Sequence, residues 1–172
     1  MNSRVKIREC RREDFDSVFP LLRQLWPDNE LDAASLGKVF NGALESDAQV
    51  YLCATDGEDV IGFVSLTVKN NLWQAAKLGH VDELIVDEKY RGHGLGARLL
   101  NEIMAHAERQ GCARIELDSA FHRKSAHRFY EQHGFENRAY LFSKNLRKAK
   151  SSFAKATARQ GKLRIRKQGP RR

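Results

Sequence analysis

Long apolar runs are what the sequence most obviously lacks. No stretch of its 172 residues could span a bilayer or form the core of a secretory leader, so a membrane-spanning helix is excluded and a cytoplasmic protein is expected. Cysteine is also sparse: Cys10, Cys53 and Cys112 are far apart, odd in number and without a Cys-x-x-Cys pair. That pattern excludes a disulfide framework and argues against a metal site, so the three are read as small buried hydrophobes in a reducing compartment. No internal repeat is visible. What remains, with 41% hydrophobic and 9% aromatic residues, is an ordinary globular composition and enough chain for one domain that folds alone.

Acidic residues are missing from one end. All 22 Asp and Glu lie at or before Glu136, whereas residues 147–172 hold 11 of the 30 Lys and Arg. Residues 1–146 therefore set 19 basic against 22 acidic side chains, a net −3, and the tail carries +11. With few large apolar residues the tail cannot offset its ordering entropy, and it is expected to be disordered, or a frayed helix over 151–159. Non-specific contact with nucleic acid or another anionic surface is electrostatically allowed. A solvated extension with no dedicated partner is the preferred reading.

Residues 1–146 read as alternating strands and helices. A first strand covers Arg4–Cys10. Phe15, Val18, Phe19, Leu22, Leu25 and Trp26 then recur at helical spacing until Pro27, with Pro20 inside the pattern predicting a kink or two short helices. Leu36, Val39, Phe40 and Leu44 predict a second helix. The alternating Val50, Leu52, Ala54 and the run from Val60 to Val68, with Asp56-Gly57 between them, spell an antiparallel hairpin. A fifth strand is expected at Arg114–Leu117, a short helix at Lys124–His133 ended by Gly134, and one or two closing strands over Phe135–Leu146.

The most informative stretch is His80–Leu100, HVDELIVDEKYRGHGLGARLL. Val81, Leu84, Ile85 and Val86 predict a largely buried strand; Leu95, Leu99, Ile103 and Ala107 predict a helix that Gly111 ends. Between them lies Arg91-Gly92-His93-Gly94-Leu95-Gly96. Glycines there let backbone N–H groups approach an anion at a helix start, where dipole and unpaired donors favour negative charge, with Arg91 and Arg98 adding their own. The same turn could use glycine for tight geometry alone. A dinucleotide fingerprint is the nearest rival, since Asp118 follows at about the right spacing, but the remaining chain does not continue that pattern.

Three features together resemble the GNAT family of acyl-CoA-dependent N-acetyltransferases. The turn is similar to the family's Q/R-x-x-G-x-G/A segment at Arg91, Gly94 and Gly96. Ser125–Phe135 is similar to its A-x-x-F/Y-Y-x-x-x-G-F segment, and the element order matches over residues 4–146. The resemblance implies an α+β fold, α/β/α in layers, with a mixed and mostly antiparallel sheet, splayed fourth and fifth strands, and helices on both faces. It also implies acetyl-CoA as acetyl donor. The pantetheine arm would pair with the backbone of Leu84, Ile85 and Val86 as an added strand does. The diphosphate would rest on Arg91, Gly92, His93, Gly94, Leu95, Gly96 and Ala97. Arg123 stands where many members carry an asparagine that contacts the cofactor arm.

Proton handling selects the catalytic candidates. An alkylammonium near pKa ~10 must lose a proton, and a carboxylate near ~4.3 is mismatched by about six units unless its pKa is raised or a water relays. Glu83, alone in an apolar strand, is the first choice, with His80 and Asp82 as alternates. A strand carboxylate that faces solvent or pairs with a cation is the competing reading. Tyr130 is placed by the resemblance where it could protonate the leaving thiolate.

The acceptor is read more loosely. The stretch from Leu21 to Asp28, with the closing Tyr140–Lys144, is similar to aminoglycoside 6′-N-acetyltransferases. Carboxylates at Asp28, Glu30, Asp32, Glu45 and Asp47 could face a cationic small molecule or be ordinary solvated charges. Trp26, Asp28, Glu30 and Asp82 are the candidate acceptor-binding residues. A peptide or protein amine is the alternative acceptor. An acetyl-CoA-responsive binding module with a nucleic-acid-docking tail is the alternative of another class. A monomer or homodimer is expected.

Overall fold

The computed structural model describes residues 4–146; the expectations for the basic tail lie outside the described residues. Five strands form one sheet in the order β1 (Val5–Glu9), β2 (Gln49–Asp56), β3 (Asp59–Asn71), β4 (Ala76–Val86) and β5 (Cys112–Leu117). Each neighbouring pair is antiparallel except β4 and β5, which are parallel because a helix connects them. This is the mixed, mostly antiparallel sheet that the sequence predicted.

Period-two alternation decides which layer each strand residue serves. Val50, Leu52, Ala54, Val64, Leu66 and Val81 face one side, where they pack against Leu95, Leu99, Leu100, Ile103 and Ala107 of α3 (Leu95–Arg109). Phe129 and Tyr130 of α4 (Lys124–Gln132) join the same layer at its edge. Cys53, Phe63 and Ile85 face the other side, against Val18, Leu21, Leu22 and Leu25 of α1 (Phe15–Leu25) and Phe40 of α2 (Ala33–Ala43). Gly62 marks how closely α3 lies on the sheet, since a Cβ there would meet Leu99 Cδ1 at 2.9 Å and the Ile85 carbonyl at 3.3 Å.

Several expectations are corrected. Helix α1 runs through Pro20 without interruption rather than dividing in two. Strand β4 begins at Ala76, four residues before the predicted start. No strand forms over 135–146; the side chains of Tyr140, Phe142 and Leu146 find no face to cover them and stand 76%, 92% and 91% exposed. Cys10 and Cys53 are buried but Cys112 is only half so. Cys10, Cys53 and Asp14 converge within 4.8 Å, yet Asp14 already accepts two bonds from the Arg8 guanidinium (2.7 and 2.8 Å) and one from the Arg11 N–H (2.6 Å). That guanidinium holds the Asp14 carboxyl below the usual carboxylate range.

Leu99 is fully buried between α3 and the sheet. Leu99→Ala is expected to lower the unfolding free energy by about 3 kcal/mol, read from urea denaturation at constant slope.

Candidate active site

Pairing between β4 and β5 stops early. It runs from Lys77↔Cys112 to Val81↔Leu117 and goes no further, whereas β4 stays paired with β3 through Leu84, Ile85 and Val86. From Asp82 onward β4 therefore has no strand on its β5 side among the described residues. A clasp closes the base of this split. His80 Nδ1 lies 2.9 Å from Asp82 Oδ1 and its Nε2 3.3 Å from Asp118 Oδ2, just beyond the end of β5. Thr67 on β3 donates to Asp82 at 2.6 Å.

A bulge sits at the same place. Val64 pairs with Leu84 and Leu66 with Val81, so two β4 residues, Asp82 and Glu83, oppose Ser65 alone. Strict alternation would send Glu83 to the α3 side with Val81; the extra residue returns it to the side of Ser65. There the Ser65 hydroxyl donates to Glu83 Oε2 and accepts from the Glu83 N–H at 3.0 Å. Burial raises the Glu83 carboxyl above its usual range, Asp82 adds to the rise, and the Ser65 bond and His80 oppose it. Ser65, buried and polar in an otherwise apolar run, was the overlooked sequence signal for this site.

Beyond the split, Gly94 takes φ +78° at the start of α3, a conformation open to glycine and costly to other residues, with open space where a Cβ would be. A cavity of about 370 Å3 opens beside it. Val86, Arg91, Gly92, Gly94, Leu95, Gly96 and Ala97, all named from the sequence, line this cavity; Leu84, Ile85 and His93 do not. Tyr90, Phe129 and His133 line it too and were missed, the last two because only the fold brings α4 here. Arg91 is partly engaged, its Nε donating to the Val86 carbonyl at 2.9 Å. Arg98 turns away and donates to the Val5 carbonyl at 3.0 Å, so it adds no charge to this turn.

Helix α4 borders both regions. Phe129 and His133, one turn apart, face the cavity, and His133 Nδ1 donates to the Phe129 carbonyl at 2.7 Å. Tyr130 is half-buried; burial raises its phenol and the positive charge of Arg123 pulls the other way. Arg123 itself reaches to the end of α1, where its Nη2 donates to the Leu25 carbonyl at 2.6 Å.

An unpaired strand edge, a glycine-rich helix start and a half-buried carboxylate thus belong to one chain, and the sequence profile of the acetyltransferase (GNAT) family fits its residues 8–135. The chain belongs to the GNAT family. It is an N-acetyltransferase, and GNAT enzymes draw their acetyl group from acetyl-CoA. Aminoalkylphosphonate N-acetyltransferase of Salmonella typhimurium is 32% identical over 141 residues, covering 82% of this chain and 91% of the relative. An aminoglycoside N(6′)-acetyltransferase type 1 of Stenotrophomonas maltophilia is 28% identical over 134 residues, 76% of this chain and 85% of its own. Among solved structures, glucosamine-6-phosphate N-acetyltransferase from Arabidopsis thaliana superposes with a TM-score of 0.70 at 25% identity, covering 83% of this chain and 99% of that one.

The residues expected at the acceptor of this acetyltransferase are less well gathered. Trp26 ends α1 and packs on the α1/α2 layer, while Asp28 and Glu30 are exposed in the following turn. Asp32 is engaged as the N-cap of α2, accepting from the Ala34 and Ser35 N–H groups, and Glu45 is paired with Arg12. The five carboxylates thus do not act as one free acidic surface. Asp82 does lie beside Glu83, in the clasp.

His80 is raised above its usual pKa, first by its bond to Asp82, with Asp118 adding, and burial and Lys69 opposing. A raised histidine stabilises the fold fully below its unfolded pKa of about 6.5 and loses that contribution as pH rises through the folded value. The melting temperature lost in His80→Gln is therefore expected to be larger at about pH 5.5 than at about pH 8.5, by calorimetry; an equal or reversed difference would show the clasp to be uncharged.

Proposed function

We propose that this GNAT enzyme moves the acetyl group of acetyl-CoA directly onto the primary amine of a small molecule. The observation that carries the reading is Glu83, a carboxylate with its pKa raised by burial, set by the bulge at the mouth of an unpaired strand edge. A donor with two amides in its arm suits that edge, since backbone donors and acceptors would otherwise be met only by water. A diphosphate suits the N–H groups that start α3. The cavity at Gly92–Gly96 is consistent with both.

The residues then divide the protons between them. Glu83 takes the proton of the attacking nitrogen as the C–N bond forms; its raised pKa narrows the gap of about six units that separates an ordinary carboxylate from an alkylammonium. Tyr130 gives its hydroxyl proton to sulfur as the C–S bond breaks, a transfer between groups about 1.5 units apart in their ordinary values. Arg123 offsets part of the cost of the phenolate that remains. His80 and Asp82 close the base of the split by tying β4 to Asp118, and give Glu83 polar neighbours there.

The named relatives frame the acceptor. They act on an aminoalkylphosphonate, glucosamine 6-phosphate and an aminoglycoside, all small molecules with an amine. The exposed carboxylates of Asp82 and Asp118 support an ammonium-bearing acceptor of that size. A cationic acceptor such as an aminoglycoside, expected from the sequence, gains less support now that Asp32 and Glu45 are engaged elsewhere.

Two variants test the roles. Tyr130→Phe is expected to lower kcat about 100-fold with little change in acetyl-CoA affinity, measured by thiol release and by direct titration. Unchanged turnover would remove the acid role. Glu83→Gln should cut kcat/KM by about 100-fold near neutrality and recover progressively as pH rises and free amine accumulates. A loss that stays constant with pH would point to a positioning role instead.

A further inference from the structure

We propose that Arg123 selects an acceptor whose amine lies a few bonds from a phosphate-like dianion. This rests on the acetyl-transfer reading above and narrows its substrate class.

Arg123 makes a specific side-chain contact far along the chain. It occupies the N-cap of α4, where no side chain caps the helix and where a cation opposes the helix dipole. Instead of turning to solvent, the guanidinium crosses to the end of α1 and gives one N–H to the Leu25 carbonyl. No carboxylate lies within 4.0 Å of it among the described residues. A half-buried guanidinium so placed has most of its five donors still to use, in the planar fork that matches phosphate oxygens. The uncapped start of α4 adds positive potential at the same spot.

Proximity ties this cation to the chemistry. Arg123 lies close enough to Tyr130 for its charge to oppose the rise of the phenol, and neither residue lines the cavity beside Gly92–Gly96 that Phe129 and His133 border. The Arg123 fork, bonded to the end of α1, is thus separate from the diphosphate cradle. At the base of the split, Asp82 and Asp118 gather negative charge around His80. An acceptor with an ammonium at one end and a dianion at the other meets complementary charge at both; a polycation meets Arg123 with the wrong sign.

Ethanolamine and 2-aminoethyl phosphate form the matched pair for the test, since they share the amine and differ only in the dianion. With the full chain and acetyl-CoA, thiol release is expected to give 2-aminoethyl phosphate at least a tenfold higher kcat/KM. Arg123→Gln should collapse that ratio toward one, mainly through the acceptor KM, and Arg123→Lys should restore part of it. Methylphosphonate should raise the melting temperature of the wild type and not of Arg123→Gln, a readout that needs no turnover. A wild-type ratio near one, proportional loss on both acceptors in Arg123→Gln, or a rise confined to the acetyl-CoA KM would each overturn the proposal. If no amine is acetylated but methylphosphonate still protects only the wild type, the acetyl-transfer reading fails and the anion site stands.

Discussion

The parting of β4 from β5 after Val81 and Leu117 is the constraint on which the rest of the structure depends. A strand that loses one neighbour normally frays, because its exposed N–H and C=O groups gain nothing from staying extended. Here β4 is kept extended beyond the split by three devices. Strand β3 still pairs with it to Val86, the Arg91 side chain takes the Val86 carbonyl, and Leu99 with Leu100 of α3 pack beneath it at full burial. The open edge is therefore held in shape by everything except a partner. An edge so held is preorganised for a ligand with backbone-like amides, and little conformational entropy remains to be lost on binding.

The bulge at Asp82 and Glu83 converts that edge into a site. Without it, Glu83 would point into the α3 layer among Val81, Leu66 and Ile103, where an ionised carboxylate costs several kcal/mol. With it, Glu83 lies on the α1/α2 side, desolvated enough to be raised but bonded to Ser65 so that it remains a usable acceptor. The same bulge leaves Asp82 exposed and free to engage His80 and Thr67. One inserted residue thus sets both the contact of Glu83 with Ser65 and that of Asp82 with His80.

Much of this was legible in the sequence because it is local. Helix α3 and the glycine turn could be read from periodicity and from Gly94 and Gly96, and the burial of Leu95, Leu99, Ile103 and Ala107 follows the predicted stripe. Glu83 stood out by its polarity within an apolar run. What could not be read depends on contacts between distant segments. The partner of Glu83 is Ser65, eighteen residues earlier, and the bulge that joins them leaves no mark in spacing. His133 reaches the cavity and Arg123 reaches Leu25 only because α4 folds back over the split. The strands expected over 135–146 failed for a related reason: β propensity in Tyr140, Leu141 and Phe142 says nothing about whether a sheet edge is there to receive them.

The layering shows why the split would suit both proposed substrates. The glycine turn and its cavity lie with α3 and the Phe129 face of α4, on one side of the sheet, while Glu83, Ser65 and Trp26 lie with α1 and α2 on the other. A closed sheet would keep donor and acceptor apart by a full layer of side chains, about 10 Å of packed core. Where β4 and β5 separate, beyond Val81 and Leu117, that sheet is interrupted. Tyr130 packs at the edge of the α3 layer, while Arg123, close enough to influence its phenol, reaches across to the end of α1. In the proposed reaction the opening would let donor and acceptor meet, between negative charge at Asp82 and Asp118 and positive charge at Arg123.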